Sequence, residues 1–129
     1  MPMGYYVLIL IAMIFCHIVD DYYLQGWLAS AKQKEWWQQN APDIMYRHDY
    51  IVALFMHSFS WTFMIMLAPT IYILIFGGSW PWLAFVLNVI LHMIIDDLKA
   101  NQKIINLVQD QGIHMIQIIT TWGIMLFGR

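Results

Sequence analysis

Cysteine is nearly absent from this chain, because Cys16 is the only one among its 129 residues. A single thiol forms no intramolecular disulfide and does not supply the several thiolates of a structural zinc site. Cys16 lies beside His17 in an apolar stretch, so we interpret it as a helix-packing residue and not as a ligand. The sequence therefore excludes a disulfide-stabilised fold and a multi-cysteine metal site.

Charged residues are also scarce, at 11% of the chain, whereas 61% of the residues are hydrophobic and 16% are aromatic. Together with a mean hydropathy of +0.61, this composition is typical of an integral membrane protein and not of a soluble domain. The net charge of −2 is too small to indicate a nucleic-acid partner. We expect membrane lipid as a partner, and a homo-oligomer or another membrane protein.

Several motifs are missing as well. No basic residue precedes the first apolar run and no small-residue cleavage site follows it, so we expect the segment from Tyr5 onward to be a retained span and not a signal peptide. The sequence has no serine nucleophile motif, phosphate-binding loop or dinucleotide fingerprint. It also has no internal repeat, which disfavours a monomeric carrier.

The apolar segments predict an all-α fold, namely a polytopic membrane four-helix bundle that forms a single domain over residues 1–129. The predicted spans cover about residues 4–25, 44–76, 81–99 and 110–127. Residues 27–39 mix Trp with Lys and Glu, which indicates a short interfacial amphipathic helix after the first span. Asp43 is the expected N-cap of the second span, and Pro69 is expected to kink or end it.

The basic residues predict the orientation in the membrane. Those in the two connections on one side are Lys32, Lys34, Arg47, Lys99 and Lys103. Arg129 alone lies on the other side. By the positive-inside rule the two connections are cytoplasmic. We therefore expect a multi-pass protein of the bacterial inner membrane with both termini on the periplasmic or outer side.

Histidine and carboxylate recur four residues apart in three of the predicted spans. The pairs are His17 with Asp21, His92 with Asp96, and Asp110 with His114. Residues at this spacing share one face of a helix. With the predicted topology, the histidines at 17, 57 and 92 lie roughly 10–13 Å deeper than the cytoplasmic ends of their helices. The polar stripes therefore converge in the cytoplasmic half of the bundle.

Each ionisable group costs about 2.5–3.5 kcal/mol at the bilayer centre, so this convergence needs partners or a function. The predicted metal ligands are His17, Asp21, His57, His92, Asp96 and His114. Asp110 is a further ligand or a general base, and Lys99 a binder of anionic substrate. Imidazole and carboxylate together suit zinc, manganese or iron. A hydrogen-bonded core is the alternative, with His57 as a packing residue. Asp20 and Asp97 are expected to lie at the surface.

These motifs resemble those of a known family. The residues concerned are His17-x-x-x-Asp21-x-x-x-Gln25, His92-x-x-Ile95-Asp96-x-x-Lys99 and Asp110-Gln111-x-x-His114. They are similar to the signature of small, uncharacterised membrane proteins of bacteria and phages, a domain of unknown function, over most of the chain. The resemblance implies a helical membrane bundle and no established activity. The sequence departs from the family at Asp20-Asp21-Tyr22-Tyr23, where an apolar residue and Phe are expected to flank the aspartate.

More loosely, the pattern resembles membrane-bound metal-dependent hydrolases, which also place His and Asp on transmembrane helices. Three functions remain open. The first is a metal-dependent hydrolase that acts at the cytoplasmic leaflet. The second is an oligomeric proton or metal transporter or channel. The third is a non-catalytic, phage-encoded protein that binds another membrane protein. An open polar cavity would favour chemistry, whereas a dry and fully paired network would favour scaffolding.

Overall fold

The computed structural model describes residues 3–128, and these form an all-helical structure, as the sequence predicts. The six α-helices are α1 (Met3–Val19), α2 (Leu28–Ala31), α3 (Lys34–Asn40), α4 (Asp49–Phe76), α5 (Trp82–Ala100) and α6 (Leu107–Phe127). A π-helical turn, Asp20–Leu24, continues α1, and a 3-10 turn, Ile44–Tyr46, precedes α4. The segment predicted as one interfacial helix is thus two short helices. Arg129, used in the topology prediction, lies outside the described residues.

Local sequence explains where the long helices begin and end. The side chains of Asn106 and Gln109 form a reciprocal capping box at the start of α6. Gly77 adopts a positive φ of 81° directly after α4, a conformation that glycine tolerates best. Pro69 lies inside α4 and does not end it. Asp43 precedes the 3-10 turn without a side-chain cap bond, so its predicted capping role is not observed.

Two helical stretches of the described chain are long and apolar enough to cross a membrane, namely Met3–Leu24 and Ile44–Phe76. Hydropathy therefore marks two of the four predicted spans. The other two, α5 and α6, contain inward-facing polar residues that lower their mean hydropathy. Asn88, His92 and Asp96 are buried on α5, and Asp110, His114, Gln117 and Thr121 on α6.

Helix α4 is the centre of the bundle, with buried residues from Ala53 to Ile73 along most of its length. One end of the bundle has an apolar core formed by Met13, Trp61, Ile65, Met66, Ile73, Ile118 and Met125. The other end is polar, and it is there that the buried histidines and aspartates meet. The short helices α2 and α3 cover this polar end, because the backbone amide of Lys34 and the carbonyl of Lys32 both bond the side chain of Asn101.

Large apolar side chains lie on the outside of the bundle, and many polar side chains lie inside it. Exposed large hydrophobic residues occur on every long helix, for example Phe15 on α1, Phe59 and Phe63 on α4, Leu91 on α5 and Ile119 on α6. Four histidines and four aspartates are buried in the interior. Large contiguous apolar surface of this kind marks contact with protein or membrane.

Candidate metal centre

The π-helical turn at the end of α1 brings two consecutive aspartates into the interior. Its defining bond runs from the backbone amide of Gln25 to the carbonyl of Asp20, five residues earlier, at 3.1 Å. Consecutive residues of a regular helix point about 100° apart. Here Asp20 and Asp21 are only 1% and 9% exposed. The expectation that Asp20 lies at the surface is therefore wrong, because the helix widens at that residue.

The first group of possible ligands consists of His92, Asp96 and His114, which we call the His114 group. Their ligand atoms all lie within 4.8 Å of one another. Asp96 Oδ1 lies 3.7 Å from His92 Nε2 and 3.5 Å from His114 Nε2. Asp110 adjoins the group, with its Oδ1 3.3 Å from His114 Nε2. In a tetrahedral site with bonds of about 2.0–2.2 Å, neighbouring ligand atoms are about 3.3–3.6 Å apart. The observed separations are close to that range.

The second group, which we call the His57 group, consists of Asp21, His57 and His92. His57 Nε2 lies 3.3 Å from Asp21 Oδ1 and 3.2 Å from His92 Nε2. It also lies 3.4 Å from Asp96 Oδ2, the carboxylate oxygen that the His114 group does not use. The two groups therefore share His92 and meet at the two oxygens of Asp96.

A chain of hydrogen bonds fixes the tautomer of His114. It starts at the carbonyl of Ala84, an acceptor, to which Asn88 Nδ2 donates at 3.0 Å. Asn88 Oδ1 therefore accepts from Gln117 Nε2 at 3.3 Å, and Gln117 Oε1 faces His114 Nδ1 at 3.1 Å. Because that oxygen only accepts, Nδ1 of His114 must donate. In the neutral ring the lone pair then lies on Nε2, which points at Asp96 and Asp110.

Two buried atoms at this point lack a hydrogen bond. His114 Nε2 and Asp110 Oδ1 are inaccessible to solvent, and neither forms one with any residue between 3 and 128. Buried polar atoms are nearly always paired, and an unpaired one costs about 1–3 kcal/mol. A lone pair and a carboxylate oxygen facing one another are the arrangement that a cation between them would satisfy.

His57 also has a polar side chain near its second ring nitrogen, Nδ1. Its Nδ1 lies 3.6 Å from Asp20 Oδ2, and Asp20 Oδ1 accepts a hydrogen bond from Ser60 at 2.6 Å. A carboxylate behind the second nitrogen is the usual way in which proteins orient a metal-binding histidine. At 3.6 Å, however, the contact is longer than a hydrogen bond, and neither atom forms one with any residue between 3 and 128.

His17, a predicted ligand, lies outside both groups. The indole of Trp61 donates to His17 Nδ1 at 2.7 Å, so the proton of a neutral ring lies on Nε2. That nitrogen faces Gln111 Oε1 at 3.0 Å. Both nitrogens are therefore engaged, which leaves no lone pair for a metal. Asp21 Oδ2 lies 3.4 Å from Nδ1, which carries no proton in this tautomer, so His17 does not donate to Asp21.

Two lysines contact the cluster from the polar end of the bundle. Lys99 donates to Asp110 Oδ2 at 2.8 Å and is partly exposed. Lys32 donates to Asp96 Oδ2 at 2.6 Å, and only 13% of its side chain is exposed. From the sequence, Lys32 was predicted as a basic residue of the interfacial helix on the cytoplasmic side, and not as part of the site. The structure adds it to the site.

Aromatic stacking holds the histidine rings in place. His92 lies between two rings, stacked on Trp61 at 4.1 Å and on His114 at 4.2 Å between centroids. Trp61 is fully buried and also bonds His17. It therefore fixes two rings of the cluster, a role that the sequence does not indicate.

The polar interior ends about two thirds of the way along α6. Beyond His114 it continues through Gln117 and Asn88 to Thr121, whose hydroxyl accepts from Asn88 at 2.7 Å. The next buried side chains on α6 are Met125 and Leu126, within the apolar end. The cluster thus lies in a polar part of the bundle that is closed on one side by apolar packing.

Comparison with protein-family models gave no match, and comparisons with curated proteins and with solved structures gave none either. The motif resemblance to small bacterial and phage membrane proteins therefore stays a prediction.

Proposed function

We propose that this chain is a four-span integral membrane protein whose buried His/Asp cluster binds one divalent transition-metal ion. The observation that carries the proposal is the orientation of His114. Its Nδ1 bonds Gln117, and its Nε2 faces an oxygen of Asp110, neither of which has a hydrogen-bond partner among residues 3–128.

Membrane insertion is supported by the position of apolar residues around α5 and α6. On α5 the residues Leu83, Leu87 and Leu91 are exposed, while His92 and Asp96 are buried. A membrane helix that faces lipid on one side and a polar cluster on the other has a low mean hydropathy. A threshold on mean hydropathy therefore does not identify such a helix as a span. We place the polar end of the bundle, with Lys32 and Lys99, on the cytoplasmic side of a bacterial inner membrane.

The His114 group, formed by His92, Asp96 and His114, would hold the ion. Two imidazoles and a carboxylate are a ligand set typical of catalytic zinc sites, which keep one further position open, and the set also suits manganese or iron. Asp110 lies beside that position, next to His114 Nε2. It is available as a fourth ligand or as a base.

The charge of the cluster supports one ion. Asp20, Asp21, Asp96 and Asp110 contribute four negative charges, and Lys32 and Lys99 contribute two positive charges. With neutral histidines the sum is −2, which one divalent cation neutralises. A buried charge left without a partner is costly, so the cluster requires two further positive charges, the number that one such ion carries.

We further propose metal-dependent hydrolysis of a substrate presented from the cytoplasmic leaflet. A divalent ion supplies a polarised carbonyl or phosphoryl group and a water molecule of lowered pKa. Asp110 would accept a proton at Oδ1, since its other oxygen is bonded by Lys99. Lys99, which is partly exposed, would meet an anionic substrate.

Transport fits this structure less well. A conduit needs polar groups across the whole bundle, whereas here they end at Thr121 and apolar packing follows. An oligomeric transporter would have to form its path between subunits. A protein that only binds another membrane protein requires no ion.

Metal content tests the proposal. Protein purified without chelators and offered zinc, manganese or iron should hold about one ion per chain, the number that a site of three protein ligands supports. His114→Ala should lose the ion, whereas His48→Ala, a change at an exposed histidine, should keep it. Wild-type protein that stays metal-free under these conditions refutes the proposal, and a hydrogen-bonded core then takes its place.

The hydrolytic step needs a separate assay. Membrane-soluble nitrophenyl esters and phosphates should be cleaved only by metal-loaded protein, and Asp110→Asn should lower the rate. Metal-loaded protein that cleaves none of them leaves metal binding intact and removes support for hydrolysis of these two substrate classes.

A further inference from the structure

Lys32 contacts the buried His/Asp cluster at one specific atom. Its ammonium donates to Asp96 Oδ2 at 2.6 Å from a side chain that is largely buried. The segment that carries it is anchored, because the carbonyl of Lys32 accepts a hydrogen bond from Asn101 at 3.0 Å. The cation is therefore held on Oδ2 of Asp96, a member of the His114 group whose Oδ2 also lies near the His57 group.

The two oxygens of Asp96 face different surroundings. Oδ1 faces His92 and His114, where His114 Nε2 is unpaired among the residues that the structure describes. Oδ2 faces His57 Nε2 at 3.4 Å and also the ammonium of Lys32. Oδ1 thus faces a ring nitrogen that has no hydrogen-bond partner among residues 3–128, whereas Oδ2 faces the ammonium of Lys32.

The side with Lys32 adjoins the His57 group, whose ligand atoms lie within 4.8 Å of one another. Asp21 Oδ1 and Asp96 Oδ2 lie 3.3 and 3.4 Å from His57 Nε2. Both distances fall in the range of about 3.3–3.6 Å that separates two ligand atoms around a tetrahedral ion.

We propose that the ammonium of Lys32 substitutes for a second metal ion at the position formed by Asp21, His57 and Asp96. This inference rests on the proposed metal binding at the His114 group and concerns the neighbouring position. Lys32 keeps the centre mononuclear, and its removal converts it into a binuclear centre in which Asp96 bridges the ions.

The charges explain why removal of Lys32 should admit a second ion. Without its ammonium, the mononuclear centre with one divalent ion has a net charge of −1, and the carboxylate of Asp96 loses its cation. A buried carboxylate without a partner attracts a cation strongly. Divalent metal is the cation for which the geometry of His57 and the two carboxylates provides ligands.

The test compares metal stoichiometry in Lys32→Met and in wild type, both as full-length chains in detergent. Methionine keeps the length of the side chain and removes its charge. Lys103→Met is the matched control, because Lys103 pairs with Glu35 at the exposed surface. Lys32→Arg keeps the charge at the same position. Each protein is saturated with Mn²⁺, counted by elemental analysis and examined by electron paramagnetic resonance.

We expect about one Mn²⁺ per chain in wild type, in Lys103→Met and in Lys32→Arg, and about two in Lys32→Met, because each three-ligand position takes one ion. The two ions should show the exchange-coupled spectrum of a carboxylate-bridged pair. If Lys32→Met is not monodisperse, Lys32→Gln serves the same comparison.

The outcomes separate this inference from the proposed function. One ion in both wild type and Lys32→Met overturns the role of Lys32 and leaves metal binding intact. Two ions in wild type also overturn it, since the ammonium would then exclude nothing. A wild-type protein without metal refutes the proposed function itself, and this inference with it.

Discussion

Replacing Asp96 with asparagine should remove bound metal while the helical bundle stays folded. The carboxylate lies within 3.7 Å of His57, His92 and His114 and bonds Lys32 at 2.6 Å. The amide keeps the shape of the side chain but changes the cluster from −2 to −1. A contact to a charged group is worth about 1.5–3 kcal/mol, so metal affinity should fall at least roughly ten- to 150-fold.

Folding should survive because the amide is less costly to bury than the carboxylate. The substitution leaves Lys32 without its partner, but its long side chain lies at the polar end of the bundle and can extend to the surface. Residual destabilisation should be relieved in the double variant with Lys32→Met, which removes the unpaired ammonium. That variant separates loss of a ligand from loss of an ion pair.

The assay is competition for Co²⁺ against a chromophoric chelator, with thermal unfolding measured on the same samples. Asp97→Asn is the control, because it makes the same chemical change one residue away. Asp97 bonds Asn101 and Gln102 outside the cluster. The reasoning is refuted if Asp96→Asn folds and binds Co²⁺ as tightly as wild type, since no ligand role for Asp96 would then remain.

Three further predictions follow from the same geometry. A periplasm-dependent reporter fused at the C-terminus should be active, and one inserted in the loop after Ala100 should be inactive; the opposite pattern reverses the topology. Asn88→Ala should weaken Co²⁺ binding by about tenfold or more in the competition assay, because it releases Gln117 and with it His114; unchanged affinity contradicts the hydrogen-bond chain. Trp61→Phe should lower the free energy of unfolding by about 1–3 kcal/mol and leave metal stoichiometry unchanged, because it removes the donor to His17 and keeps an aromatic ring beside His92; loss of metal would show that the contacts of Trp61 with His17 and His92 are needed to hold the ion.

The part of the site that lies on regular helices could be predicted from sequence. His92 with Asp96 on α5, and Asp110 with His114 on α6, are pairs at i and i+4 within uninterrupted helices. Their facing sides follow from the helical period alone. The structure accordingly brings His92, Asp96 and His114 together.

The other part depends on departures from regular structure. Asp20 turns inward only because the helix widens into a π-turn, which no spacing rule indicates. Lys32 follows a break at Gly26, where φ is +50°, so no helical period connects it with the residues before the break. The role of His17 depends on its hydrogen bond from Trp61, which lies on another helix and 44 residues later in the sequence. Periodicity places side chains on a face, but it does not show which partner engages each nitrogen.

A bundle with an apolar exterior and four buried aspartates requires positive charge inside, and two lysines supply half of it. Protons on two histidines or one divalent ion would supply the rest. The two possibilities differ at His114, whose Nε2 would donate to Asp110 or Asp96 if it carried a proton. Both contacts, at 3.3 and 3.5 Å, lack hydrogen-bond geometry among the described residues. Their lengths instead match the separation of two ligands around a common ion, about 3.3–3.6 Å. The separations at His114 are therefore those of ligand atoms that share a metal ion.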